Sequence, residues 1–243
     1  GKSLSVSTIE AEVAQYGDYI VQSDVLELTS IDNTIVEATK ILGRQAGLTL
    51  DTITRNVMQS GTNVYYCPKA DGTAVTSRAG LDNTCKLTVD VVNRVVALLK
   101  KNNAPKINGD YVAIIHPLVA YDLMSDERWI EAHKYAKPDA IYNGEIGKIG
   151  GVRFIESSEA KVYENGVFGC LFLADGAYGV TEITGGGLQT IIKQKGSAGT
   201  ADPLDQRSSI GWKAIKTAEI LIENYLVRVE SKSATFSATT SAN

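Results

Sequence analysis

Five consecutive residues, Tyr111-Val112-Ala113-Ile114-Ile115, constrain this chain more than any other stretch. A strand with one face in water alternates apolar and polar side chains, whereas an unbroken apolar run is a strand covered on both faces. Its flanks agree with that reading. Asn108-Gly109-Asp110 turns the chain into the run, and His116-Pro117 ends it. Upstream, residues 88–102 carry Val89, Val92, Val96 and Leu99 on one helical stripe and Val91, Val95 and Leu98 on a second. Such a helix is buried over more than half its girth. Lys100 and Lys101 lie in its last turn, where cations complement the helix dipole. Downstream, residues 117–134 read as a further helix that starts with proline and breaks near Ser125-Asp126. An apolar strand held between such helices requires a layered core of mixed helix and strand.

The rest of the chain supplies more of both. Residues 4–8 and 19–28 read as strands, with Gly17-Asp18 as the turn between them. A long helix follows, capped by Asp32 or Asn33, with Ile35, Ala38, Leu42, Ala46, Ile53 and Val57 at three- and four-residue steps and Gly61 just past its end. Gly43 and Gly47 each cost about 1 kcal/mol against alanine inside a helix. They mark a bend near Leu48 or a close approach by another backbone. Residues 62–67 form a short strand and 68–83 a loop. Glycine-punctuated strands are expected at 151–156, 168–174, 179–183 and 188–192, and a loop at 196–206. Residues 208–230 read as one long strand-like segment, with Ile210, Trp212 and Ala214 alternating with Ser209, Gly211 and Lys213. Seven of the thirteen residues from 231 to 243 are serine or threonine, and this tail is expected to be loosely ordered.

Composition excludes several classes. At 243 residues the chain suffices for one or two domains with a sizeable core. A net charge of −4 argues against a dedicated nucleic-acid groove, which needs a clustered basic excess. No apolar run reaches the roughly 18 residues of a membrane helix. Cys67, Cys85 and Cys170 are scattered and make no metal-type spacing, which fits folding in a reducing cytosol. The start, Gly1-Lys2-Ser3-Leu4, has neither a signal peptide nor an initiator methionine and reads as a point inside a longer product.

Catalytic signals are weak. The two histidines, His116 and His133, stand near apolar neighbours and read as structural groups. Gly185-Gly186-Gly187 precedes a strand rather than a helix and reads as a hairpin turn, not a phosphate cradle. Residues 196–202 lack a lysine and read as a flexible loop. Asp122, Asp126 and Glu127 with Arg128 read as a solvated helix face. The expectation is therefore no catalytic, cofactor-binding or metal-binding residue, no cofactor, and a protein that is not an enzyme. The least favoured alternative is an enzyme whose site gathers His116, Asp122 or His133 from across the fold.

Five features taken together carry a family resemblance. They are the helix at 88–102, the strand ending in His116-Pro117, the following Tyr121-Asp122-Leu123-Met124-Ser125-Asp126, and two glycine-marked stretches at 144–156 and 173–179. In this order they resemble the major capsid proteins of tailed phages, with the Hong Kong phage capsid fold. Residues 4–31, 129–144 and 195–218 are similar to a narrower phage and prophage subfamily, so the resemblance runs to about residue 232.

The resemblance implies an α+β chain with a peripheral domain, built of a long spine helix and long β strands, and an axial domain with a central sheet flanked by helices. Residues 1–31 would be the extended-loop remnant and the strands entering the peripheral domain, and 32–87 that domain with its spine helix. Residues 88–207 would be the axial domain, 208–232 a return strand of the peripheral domain, and 233–243 a flexible tail. Family members carry an N-terminal arm and the outgoing half of the extended loop before this point.

The implied function is that of a major capsid protein of a tailed bacteriophage or prophage. Pentamers and hexamers of it would close into an icosahedral shell around the genome. The implied partners are copies of itself in capsomers, scaffolding and portal proteins, and double-stranded DNA enclosed without sequence-specific binding, with no membrane. It would be assembled in the host cytoplasm and reside in the virion. The alternative within the fold is an encapsulin-like nanocompartment shell protein. Some relatives crosslink through a Lys–Asn bond, but no local match identifies such a pair here.

Overall fold

The computed structural model describes residues 8–30, 34–134, 146–181, 183–233, 235–237 and 240–243. Along the chain run β1 (Ala14–Ser23), α1 (Asp24–Thr29), α2 (Thr34–Gln59), β2 (Val64–Tyr66), α3 (Val89–Lys101), β3 (Tyr111–Ile115), α4 (Pro117–Met124) and α5 (Glu127–Lys134). Then come β4 (Lys148–Ile149), β5 (Val152–Glu156), β6 (Val162–Tyr163), β7 (Val167–Leu173), β8 (Tyr178–Val180), β9 (Gln189–Lys193), β10 (Arg207–Lys216), β11 (Ala218–Ile220) and β12 (Leu226–Lys232). The chain is divided into two compact units. One comprises Gly1–Thr54 and Val180–Glu219, and the other Arg55–Gly179 and Ile220–Asn243. This is the α+β class that the sequence implies.

The second, larger unit is built on a seven-stranded sheet of order β2-β12-β7-β3-β5-β4, with β6 pairing β7 off that path. The apolar run occupies β3, paired antiparallel to β7 on one side and parallel to β5 on the other. Tyr111, Val112, Ala113 and Ile115 are all buried. The α3 helix starts where Thr88 Oγ1 accepts the Val91 N–H, and it buries Val89, Val91, Val92, Val95, Val96 and Leu99. The expected break falls between α4 and α5 because Asp126 stands there. Its two carboxylate oxygens accept the Val89 N–H at 2.9 Å and the Arg128 N–H at 3.0 Å, so one side chain satisfies the N-termini of both α3 and α5. Asp126 is a structural cap, not merely part of a solvated face.

The first, smaller unit holds the antiparallel sheet β1-β10-β9. Leu42, Ala46, Ile210, Trp212 and Ala214 form its core, with Tyr16, Ile20, Ile35, Ala38 and Leu50 partly buried against them. The α2 helix is unbroken at Leu48, and nothing lies within 4 Å of a Cβ added at Gly43 or Gly47. Those glycines mark neither a bend nor a close approach. Hydrogen bonding along the helix and its apolar stripe outweigh their propensity cost.

Other expectations are corrected. Gly17-Asp18 is not a turn but lies inside β1, opposite Lys213 and Trp212. A Cβ on Gly17 would sit 2.6 Å from the Trp212 carbonyl oxygen, which explains the glycine. Residues 24–29 are a short helix rather than strand, because the Ser23 hydroxyl accepts the Leu26 N–H and Asp24 sits in the first turn. Residues 208–230 are not one strand. β10 stops at Lys216, and after β11 and a 3-10 turn over Glu223–Tyr225 the chain enters β12, between β2 and β7.

The tail is not loose where it is described. The Ser237 hydroxyl donates to the Gly166 carbonyl at 2.7 Å and accepts the Ser233 N–H at 2.8 Å. The Asn243 N–H donates to the Val162 carbonyl, and the Val162 N–H returns a bond to the Asn243 side chain. Serine is polar, but these serines find backbone partners and are buried. The expected cap at Asp32 or Asn33, residues 4–7 of the first strand, and residues 135–145 of the resemblance lie outside the described residues.

Candidate assembly surface

The residues considered for chemistry are dispersed. His116 is the N-cap of α4. Asp122 is buried within α4 and stands 3.9 Å from the Lys86 ammonium. The His133 side chain lies outside the described residues. Among the described residues no hydrogen bond or ion pair joins His116 to Asp122, and no group of three or more His, Cys, Asp or Glu is placed to hold a metal ion. Cys67, Cys85 and Cys170 are free and buried. Burial pushes the Cys170 thiol up to about 12 and the Cys67 thiol up as well. Gly185-Gly186-Gly187 lines an open hollow of about 610 Å3 with Thr181, Ile183, Thr184 and Ile215, none of these described residues being ionisable. The 196–206 loop contains a 3-10 turn at Gly199–Ala201, and Asp202 closes it by accepting the Arg207 N–H at 2.7 Å.

The feature that sequence reasoning missed in the larger unit is a buried ionic cluster. Glu230, on β12, has no exposed surface. It accepts two hydrogen bonds from Arg78, at 2.6 and 2.7 Å, and lies 3.1 Å from Arg228 Nε. Arg78 also stacks 3.6 Å above the Tyr163 ring, and the Tyr163 hydroxyl donates to the Gln59 side chain at 2.9 Å. Arg228 reaches the carbonyl of Gln59, an orphan acceptor at the end of α2, and that of Gly61 just beyond it. A buried carboxylate with paired cations and a capped helix end is an anchor. Its trace in the sequence is Arg228 and Glu230, two apart and so on one face of β12, between Val227, Val229 and Ser231.

The smaller unit presents a different surface. Strand alternation and the register place Tyr19, Gly211 and Ile191 side by side on the sheet face opposite α2, with Val21, Ser209 and Lys193 in the next row. Tyr19 is 69% exposed and Val21 52%. Every residue of the edge strand β9 is exposed. A hollow of about 240 Å3 opens over Gly17, Gly211 and Ile191. In the same unit Val25, Leu26 and Leu28 of α1 are exposed, Leu28 at 83%, as is Leu204 at 74%. Scattered apolar side chains need no explanation, but exposed Tyr19, Val21 and Ile191 on one sheet face, an open edge strand and a helix exposing Val25, Leu26 and Leu28 together have the character of a contact surface.

Known structures share this fold. The chain is similar in fold to the capsid of cyanophage Pam1, at 12% identity and a TM-score of 0.69, covering 91% of this chain and 75% of that one. It is likewise similar to the capsid of cyanophage P-SCSP1u, at 14% identity and a TM-score of 0.68, covering 90% and 72%. The SrpI encapsulin of Synechococcus elongatus PCC 7942 is matched at 11% identity and a TM-score of 0.58, covering 92% and 75%. No curated protein matches the chain. The family model described as phage capsid protein matches residues 23–183, from the end of β1 through β8 and so across both units. The chain belongs to the phage capsid protein family.

Proposed function

We propose that copies of this major capsid protein associate into pentamers and hexamers that close into an icosahedral shell around a double-stranded DNA genome. The observation that carries the reading is the open apolar face of the smaller unit in a chain of this family. One such contact is weak. Repeated around closed rings and across a shell, many of them hold together.

On this reading the seven-stranded unit is the axial domain and the smaller unit, with most of α2, the peripheral one. Residues 55–87 and 220–232 then go with the axial domain. On this reading the protein works as a shell component rather than as a catalyst. Scaffolding and portal proteins are its further partners, and it assembles in the host cytoplasm. The net charge of −4 supports an inner surface that encloses DNA without gripping it.

The test is electron microscopy and sedimentation of the full-length protein over a wide concentration range. Rings or shells are expected, and a strictly monomeric protein overturns the proposal. The SrpI match supports a second reading, a nanocompartment shell, but at a lower TM-score than the phage capsids. Shells isolated from cells decide between the two: packaged DNA supports the phage reading, an enclosed cargo protein the other.

A further inference from the structure

We infer that His116 is a proton-sensitive latch on α4: its neutral imidazole caps the helix, and protonation uncaps it. Helix N-caps are ordinarily Ser, Thr, Asp or Asn, whose oxygens accept a backbone N–H at any pH near neutral. Here the acceptor is the Nδ1 of His116, which receives the Leu118 N–H at 3.2 Å. An imidazole accepts at Nδ1 only when that nitrogen carries no proton, so the cap exists only in the neutral ring with its proton on Nε2. Pro117 fills the first helical position, where no N–H is available to share the task. The His116 carbonyl accepts the N–H groups of Val119 and Ala120, which fixes the ring's residue at the head of the helix.

Protonation has two consequences of the same sign. Nδ1 becomes a donor facing the Leu118 N–H, and a positive charge arises at the positive end of α4. The surroundings favour the neutral form in folded protein. The ring is half-buried with its centroid 5.2 Å from that of Phe168, and burial lowers the His116 pKa from its ordinary value. Glu159 opposes this, its carboxylate favouring the charged ring, and burial outweighs it. From β7, Cys170 faces the same residue, bonded to the His116 backbone and itself held protonated by burial. The first turn of α4 carries Val119 and Ala120 into the core, so loosening it opens buried surface.

The sign follows from linkage. A histidine with a folded pKa below its unfolded value of about 6.5 contributes its full share of stability above that pH and loses it as pH falls below. One proton taken up on unfolding lowers the folding equilibrium constant by up to about tenfold per pH unit.

The experiment compares the protein with His116→Asn, which keeps a capping oxygen and cannot titrate, by urea unfolding between pH 7.5 and 5. The ratio of the two folding constants is expected to shift toward the variant by up to about tenfold per unit below pH 6.5. Amide exchange at Leu118, corrected for its intrinsic pH dependence, should quicken in the same range only in the unsubstituted protein. His133→Gln, which removes the other histidine, should leave both results in place. Parallel pH profiles for the two proteins overturn the inference. If His116→Asn does not fold, the imidazole resonances decide: titration below about 6.5 supports the latch, and titration at or above it overturns it.

Discussion

In the larger unit Leu99, Tyr111, Ile115, Leu123, Phe168 and Phe172 are sealed within its own helices and sheet. In the smaller one five side chains are buried in the core, while Tyr19, Val21, Leu28 and Leu204 stand in water. Both units obey the same alternation, and both have a sheet with a helix against it. They differ in what covers the second sheet face. β3 and β7 are buried throughout or nearly so, whereas β9 is exposed throughout. Burying a valine, leucine or aromatic side chain gains about 1.5–3 kcal/mol. The smaller unit keeps several such gains in reserve, and contact with other copies is what can realise them. The larger unit buries its sheet strands β3 and β7 within itself, though Tyr121, Ile130 and Ile155 remain exposed on it.

The sharpest way to test that burial is Glu230→Ala. It leaves Arg228, whose side chain is 11% exposed, without its carboxylate, and removes the bidentate partner of Arg78. Stranding a buried cation costs about 3–5 kcal/mol. Arg78 is 40% exposed and recovers water, so a value near the low end is expected in urea unfolding. A loss under about 1 kcal/mol breaks the comparison, because the larger unit would then not depend on its polar anchor. Trp212→Ala attacks the thinner core. Its expected cost is about 3 kcal/mol, seen as faster hydrogen exchange in β1, β9 and β10. Exchange unchanged in those strands would mean that the smaller unit has no core of its own. A third measurement reads the sealed unit directly. Cys67, Cys85 and Cys170 should stay unmodified by a thiol reagent at pH 8 in native protein and react together once urea opens the core, since all three are buried and Cys170 is held at about 12.

Much of the larger unit is legible in sequence because its signals are local. A five-residue apolar run rich in β-branched and aromatic residues between turn signals reads as a doubly covered strand, two valine stripes over thirteen residues read as a helix sunk in a core, and Ser125-Asp126 marks a helix break by its own chemistry. What stays hidden depends on residues far apart in the chain. Gly17-Asp18 has the composition of a turn and becomes strand because Lys213 and Trp212 pair with it. Glu230 gains its meaning from Arg78, Tyr163 and Gln59, none of them near it in sequence. The tail's serines look solvated until Gly166 and Val162 accept their segment. The open apolar face is the hardest case. Alternation says that Tyr19 and Val21 share a side of the sheet, but not whether the chain itself covers that side. The motifs behind the family resemblance are structural, so they point to a fold and an assembly without naming the surface that assembles.

The smallest expected change in stability therefore carries the most about function. Tyr19→Ser and Leu28→Ser remove exposed apolar side chains from the smaller unit, and Ile130→Ser removes one, 45% exposed, from α5 of the larger. Surface substitutions of this kind change stability by no more than about 0.5 kcal/mol, so all three proteins should unfold at nearly the same urea concentration. Their assembly should separate them. A contact repeated in every copy multiplies its loss across the shell, so the two changes in the smaller unit should shift the full-length protein from shells toward small species in sedimentation, while Ile130→Ser should not. If Ile130→Ser impairs assembly as much as Tyr19→Ser, the division of labour between a sealed unit and an open one is wrong, and the apolar face opposite α2 is not where copies meet.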